Sequence, residues 1–210
     1  LQILSQDMFL GGTDTASTTI EWALAELLKD SAKMERLRNE VRSTGGVIGN
    51  QMIRSQDLEN NSLPYLKAVI KETLRIHPPV PLLVPRESIR DTEVMGYHIK
   101  AKTRVMINNW AISNDPSFWE SPHEFRPERF LEENAPNIDV AGHHFEFIPF
   151  GHGRRGCPGM AFAMAVMDLA LANLVYHFDV SSAGELDMTE AIALTLSKNQ
   201  PLWIVARSVF

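Results

Sequence analysis

The chain has 210 residues, 44% of them hydrophobic and 22% charged, with 12 prolines, a globular composition long enough for one large domain or two small ones. Its net charge of −6, from 26 acidic and 20 basic side chains, does not suggest a nucleic-acid binder. A single cysteine, Cys157, excludes a disulfide scaffold and suits a reducing compartment.

Residue 1 is leucine and helical spacing begins at once. The sequence therefore reads as the C-terminal part of a longer protein, with any targeting or membrane segment expected upstream. Ile3, Leu4, Met8, Ile20, Ala23, Leu24, Leu27 and Leu28 give a helical face over residues 1–29. The middle of that run, GGTDTASTT, is a poor helix interior. Each glycine costs roughly 1 kcal/mol relative to alanine, and Asp14 and the threonines compete for backbone hydrogen bonds. The pattern predicts either a stop and restart, with Thr13 or Asp14 as N-cap, or one long helix distorted at this point.

Helical sequence continues over Met34–Val41, and GGVIGNQM then reads as a loop. The next helix is expected to be capped by Ser62, with Pro64 in its first turn and Leu66, Val69, Ile70 and Leu74 on its apolar face. Pro78, Pro79, Pro81 and Pro85 end it and prescribe an extended run. Strands are predicted near Thr92–Tyr97 and Arg104–Ile107. An aperiodic meander should follow over Asn114–Asn137, and then a helix from Pro158 to about Phe178. The strand-like stretches ALTL and LWIVA flank a turn at Lys198–Pro201 near the end. Asp168 within the late helix argues against a membrane span there. His143 and His144 read as loop residues, because adjacent side chains do not converge on a metal. The spacing of Met160, Met164 and Met167 reads as core packing.

Cys157 is the residue most in need of explanation. It lies in FIPFGHGRRGCPGMAF, directly before Pro158, which suits the first helical position. Free N–H groups and the positive end of the helix dipole there would favour thiolate over thiol. Gly151, Gly153, Gly156 and Gly159 remove side chains around it, so a flat, bulky partner could lie against the loop. Arg154 and Arg155 suit carboxylates at that partner's edge. A thiolate bound to a planar macrocycle carrying carboxylates is haem ligation by cysteine. The plainer alternative is a buried cysteine at a helix start, with glycines serving tight turns.

Phe150-Gly151-His152-Gly153-Arg154-Arg155-Gly156-Cys157-Pro158-Gly159 resembles the haem-binding signature of the cytochrome P450 monooxygenases. Glu72-Thr73-Leu74-Arg75 resembles that family's Glu-x-x-Arg motif and Pro127-Glu128-Arg129-Phe130 its Pro-Glu-Arg-Phe motif. Gly11-Gly12-Thr13-Asp14-Thr15 resembles its oxygen-binding helix kink. The resemblance spans essentially all 210 residues and is nearest to plant microsomal members. It implies a mainly α fold with a minor β component, the C-terminal haem-binding part of one catalytic domain. Within residues 1–210 the oxygen-binding helix would lie near 1–30, the Glu-x-x-Arg helix near 62–77, and the haem-thiolate loop and following helix at 147–178.

The resemblance also implies roles. Cys157 would ligate the iron of haem b, with Arg86 and Arg155 at the propionates and Phe150, Gly151 and Gly159 shaping the loop. Glu72, Arg75 and Arg129 would form a buried network; read from spacing alone, Glu72 and Arg75 could equally be a solvated pair worth about 0.3 kcal/mol. Asp14 and Thr15 would manage protons, where residue type alone favours an N-cap. Phe9, Leu82, Leu83, Val84 and Leu194 would line the substrate side. The implied activity is insertion of one atom of molecular oxygen into a small apolar substrate, in plant secondary metabolism. Electrons would come from NADPH through a cytochrome P450 reductase, at the cytosolic face of the endoplasmic reticulum membrane, with an anchor upstream. The alternative is a truncated haem-binding protein without monooxygenase activity, and residues 1–210 alone are expected to be inactive.

Overall fold

A computed structural model describes residues 2–45, 52–131, 138–192 and 195–210. Four helices carry the core: α1 (Gln2–Lys29), α2 (Ser31–Gly45), α3 (Pro64–Ile76) and α5 (Met160–His177), each packing against the other three. Trp22, Leu27, Leu37, Leu66, Val69, Ile70 and Leu171 are fully buried between them. A short α4 (Asn109–Ser113) lies against α3. Among the described residues the β component is four two-stranded antiparallel sheets.

Strand β1 (Arg86–Glu87) pairs with β4 (Arg104–Val105), and β2 (Thr92–Val94) with β3 (Tyr97–Ile99). The single strand expected at Thr92–Tyr97 is thus the first half of a hairpin. Met95 and Gly96 both take positive φ, +51° and +83°, the geometry of a tight type I′ turn. Near the end of the chain, β5 (Phe178–Ser182) pairs with β8 (Ile204–Ser208), and β6 (Glu190–Ile192) with β7 (Leu196–Lys198). Of the two strand-like stretches of the tail, LWIVA enters β8 and pairs with β5, while ALTL contributes Leu196 to β7 and its first two residues lie outside the described residues.

Helix α1 runs unbroken through GGTDTASTT, without the expected restart or a change of helical type. The side-chain competition is nonetheless present. Thr15 Oγ1 donates to Gly11 O at 2.7 Å, Ser17 Oγ to Asp14 O at 3.0 Å and Thr19 Oγ1 to Thr15 O at 2.9 Å. Hydroxyls that bond back one turn satisfy themselves without ending a helix. The buried second half, from Thr18 to Leu27, outweighs the local propensity.

Helix α3 has the expected buried face, but Ser62 is not its cap. Leu63 holds the N-cap position with no side-chain bond, and Ser62 Oγ donates to Asp57 O at 2.6 Å. The cap comes from α2: Glu40 Oε1 accepts from Tyr65 N at 2.7 Å and Oε2 from Leu66 N at 2.9 Å. A carboxylate there satisfies two orphan donors and complements the helix dipole. Most of the loop expected around 45–52, and part of the meander at 132–137, lie outside the described residues.

Among the described residues α5 is the one helix long and apolar enough to cross a membrane. Its C-terminal half packs into the core through Met167, Leu171, Ala172, Val175 and Tyr176, while Met160 and Met164 are half-buried. Asp168 is half-buried on it, and burial pushes its carboxyl up to about 6, against a weaker pull downward from Lys67.

Removing the inter-helix cap tests this packing. Glu40→Ala should lower stability by about 1–2 kcal/mol, the range for a lost helix cap, read as a shift of the urea midpoint at unchanged slope. Ser62→Ala should change it by less than about 0.5 kcal/mol, as ordinary surface substitutions do.

Candidate functional site

Cys157 is exposed, on the loop that leads from Phe147 to α5. Backbone bonds fix its place. Gly151 N donates to Ile148 O, Gly156 N to Gly153 O and Cys157 N to Phe150 O, each at 2.9 Å. Gly151 and Gly153 hold φ at +71° and +73°, where any other side chain would be strained. Helix α5 begins at Met160 with Gly159 as N-cap, two residues later than Pro158, the expected start. Pro158 and Gly159 form a turn, and the first helical bond, Ala163 N to Gly159 O, closes at 2.8 Å. Cys157 therefore precedes the helix, and the loop backbone sets the position of the thiol. A Cβ at Gly159 would stand 3.9 Å from its Sγ.

Arg86 reaches this loop from β1. Its Nη2 donates to Arg155 O at 3.4 Å and would lie 3.7 Å from a Cβ at Gly151. Its Nε is buried without a hydrogen-bond partner, a donor left wanting an acceptor. Arg154 and Arg155 are exposed. An accessible thiol, a floor of glycines, an unsatisfied guanidinium and free arginines together fit haem, with its flat face and anionic propionates.

Behind the loop, Glu72, Arg75 and Arg129 come together with side chains 0%, 0% and 5% exposed. Glu72 Oε2 accepts from Arg75 Nε at 2.8 Å. Its Oε1 accepts from Arg75 Nη2 at 2.8 Å, Arg129 Nε at 3.0 Å and Arg126 N at 2.9 Å. This is the buried network, not the solvated pair. Arg75 also donates to Ser113 O at 2.8 Å and Glu124 O at 3.3 Å, and Arg129 to Glu120 O at 3.0 Å. Both guanidinium groups face the ring of Trp119, at 5.1 Å and 5.9 Å. Trp119 packs edge-on against Phe147 at the root of the cysteine loop, with ring centroids 6.2 Å apart. Phe150 packs half-buried against the same core.

On α1, Asp14 and Thr15 are half-buried. Asp14 Oδ2 accepts from Thr195 Oγ1 at 2.6 Å, while Thr15 Oγ1 is bonded to Gly11 O. Phe9 and Val84 are 75% and 70% exposed, and Leu82 is also exposed. Leu83, between Leu82 and Val84, is buried at φ +50°, with its Cδ1 in contact range of a Cβ at Gly151. It thus joins the cysteine-loop side. Leu194 lies outside the described residues.

A second buried cluster has no counterpart in the sequence reading. His77 lies between two carboxylates, Nε2 at 2.9 Å from Glu26 Oε1 and Nδ1 at 3.2 Å from Glu190 Oε1. Its ring stacks on Trp22 with centroids 3.9 Å apart, and Lys198 Nζ stands 4.6 Å over the other ring partner, Trp22. Burial pulls the imidazole pKa down, but the two carboxylates outweigh it and hold it above its ordinary value. The available signal was Glu26, an acid inside the apolar run ALAELL. His143 instead pairs with Asp139 on the surface, and among the described residues no cluster has a metal-ligand set.

The cytochrome P450 family profile matches residues 1–203. The chain is 54% identical to "Cytochrome P450 71A6" of Nepeta racemosa, over 95% of this chain and 39% of that protein. It is 48% identical to a "3-beta-hydroxylase" of Tanacetum parthenium, over 100% of this chain and 42% of that protein. Identity to "(+)-menthofuran synthase" of Mentha piperita is 49%, over 98% and 41%. The chain thus spans about two fifths of the length of these curated relatives. A solved zebra fish cytochrome P450 with progesterone superposes with a TM-score of 0.82 at 32% identity, covering 96% of this chain and 44% of that one.

Two outcomes test this geometry. Glu72→Ala would leave two buried guanidinium groups without their carboxylate, at a cost of about 3–5 kcal/mol, and folded yield should fall sharply; normal yield and an unchanged urea midpoint would contradict the network. For His77, a pKa raised in the folded state adds stability that is complete below the unfolded value and fades as pH rises through the folded one. The stability gap between wild type and His77→Gln should therefore be widest below the ordinary imidazole value and narrow as pH rises above it, in denaturation curves taken across neutral and mildly alkaline pH.

Proposed function

We propose that this chain, which belongs to the cytochrome P450 family, is the haem-carrying part of a monooxygenase that inserts one atom of molecular oxygen into a small apolar substrate. The observation that carries this reading is the accessible Cys157 thiol, fixed by backbone bonds on a glycine floor beside the unsatisfied Nε of Arg86. When bound, haem supplies the oxygen activation and the oxygen transfer. Every other part of the task falls to the chain.

Cys157 would hold the iron as thiolate, its Sγ kept in place by the Cys157 N to Phe150 O bond. Arg86 and Arg155 would bind the propionates; the buried Nε of Arg86 gains an acceptor when they do. Gly151 and Gly153 let the loop lie close to a flat ligand. Glu72, Arg75 and Arg129 carry no chemistry. They lock Trp119 and, through it, Phe147 at the root of the loop.

On α1, Asp14 would take up and deliver protons at its carboxylate, and Thr15 Oγ1 would hold a water once it turns from Gly11 O. Phe9, Leu82 and Val84 present exposed apolar surface suited to an apolar substrate and to excluding water. Residues 1–30, 62–77 and 147–178 act as parts of one catalytic domain.

The electron source is NADPH, through a cytochrome P450 reductase docked on the protein. The setting is plant secondary metabolism, at the cytosolic face of the endoplasmic reticulum membrane. Relatives named a 3-beta-hydroxylase and a menthofuran synthase support that class.

The thiolate assignment has a spectroscopic test. In haem-loaded full-length protein, reduction under carbon monoxide should give the long-wavelength Soret band of thiolate ligation, and Cys157→Ser should abolish it. A Cys157→Ser protein that keeps the band would overturn the assignment.

A further inference from the structure

Among the described residues the Asp14 carboxylate has one hydrogen-bond partner, Thr195, and that partner comes from the far end of the chain. Thr195 is 5% exposed, and its hydroxyl donates to Asp14 Oδ2 at 2.6 Å. We propose that Thr195 is a positioning residue for proton handling: its hydroxyl holds one oxygen of Asp14 and so orients the carboxylate beside Thr15. The proposal rests on the functional reading of Asp14 and Thr15 given above.

Three features fit this role. The first is rigidity. The next residue, Leu196, donates its N–H to Pro79 O at 2.9 Å, and its carbonyl accepts from Trp22 Nε1 at 2.9 Å. Ser197 N also donates to Thr195 O at 3.1 Å. With the backbone held at and directly after Thr195 and a β-branched side chain stiff at χ1, the hydroxyl has a fixed address. An aspartate side chain at a half-buried helix position otherwise has rotamers to choose from.

The second is chemistry. A lysine or arginine partner would hold the carboxylate ionised and oppose its protonation. A neutral hydroxyl imposes that bias more weakly than a cation does. It donates to the carboxylate and can turn to accept from the carboxylic acid, so the contact survives both protonation states of a group that must pass a proton on.

The third is the frame. The segments around Thr195 are tied to α1 at two other points. Glu190 reaches Glu26 through His77, and Leu202 N donates to Glu21 Oε1 at 2.9 Å. Docking of the hairpin therefore does not rest on Thr195 alone, and its bond to Asp14 is free to serve what Asp14 does.

The experiment compares Thr195→Val, which keeps shape and loses the donor, with Thr195→Ser, which keeps the donor. Both are made in full-length, haem-loaded protein with reductase. Thr195→Val should lower product formed per NADPH by about fivefold, with the missing electrons recovered as hydrogen peroxide, a loss in line with one ordinary hydrogen bond. Thr195→Ser should stay within about twofold of wild type, and Thr195→Val should add little in an Asp14→Asn background. A urea double-mutant cycle between the two positions should show coupling whether or not the enzyme turns over. Wild-type coupling in Thr195→Val, or equal loss in Thr195→Ser and Thr195→Val, would reduce Thr195 to a structural contact and overturn the proposal alone. A wild-type protein without the thiolate-type carbon monoxide band would overturn the functional reading, and this role with it.

Discussion

One carboxylate, Glu72, is shared by two guanidinium groups in a place where water does not reach, and much of the chain is arranged around it. Charges buried this deeply cost several kcal/mol each unless every donor and acceptor is satisfied. The cluster carries an excess positive charge, and carbonyl oxygens of Ser113, Glu120, Ser121 and Glu124 answer it. Those carbonyls sit at the end of α4 and in the irregular stretch beyond it, where no helix or ladder uses them. Arginine donors thus do there what secondary structure does elsewhere. A well-packed apolar cluster could fill the same volume, but it would leave the meander's backbone without partners.

Helix α1 is the second organising element. Asp14, Glu21, Trp22 and Glu26 recur at intervals that place them along one side of the helix, and all four bond to, or through His77 reach, the last quarter of the chain. The hairpin of β6 and β7 has only three paired positions, too few to stand alone in water. It is held instead by its polar bonds to α1 and by Pro79 O. The residues flanking 193–194 are therefore set by the same helix that carries Asp14 and Thr15.

Where periodicity decides, the sequence was partly readable: the α3 face falls where the spacing of Leu66, Val69, Ile70 and Leu74 puts it, and Ala23, Leu24 and Leu27 of α1 and Met167 of α5 are buried, but Met8 is exposed and Met160 and Met164 are only half-buried. The cysteine loop and the Glu72 network were legible through motif resemblance; spacing alone left Glu72 and Arg75 as a possible surface pair, because burial is a tertiary property. The misreadings share one cause. Ser62 looked like a cap, yet Glu40, more than twenty residues earlier, supplies the oxygens. GGTDTASTT left a break and a distorted helix both open, and packing beyond it carries one helix through. Long-range partners leave no local trace, and for the same reason His77 and Thr195 went unnoticed.

Charge pairing behind the loop and apolar exposure in front of it distinguish the supporting shell from the working surface. Behind the cysteine loop, all the charged groups of the Glu72 network are paired, and the aromatic rings of Trp119, Phe130 and Phe147 interlock within 5.4–6.2 Å. In front of it the rules of a folded interior are broken together: a thiol is exposed, Arg86 Nε is buried without an acceptor, and Phe162, five residues beyond the thiol, stands open. Single violations are ordinary on a protein surface. Several around one loop are not, because each has a stability cost that packing elsewhere must offset. A flat, largely apolar ligand with a metal at its centre and anions at its rim would relieve thiol, guanidinium and apolar surface at once. That common remedy ties the broken rules to one cause.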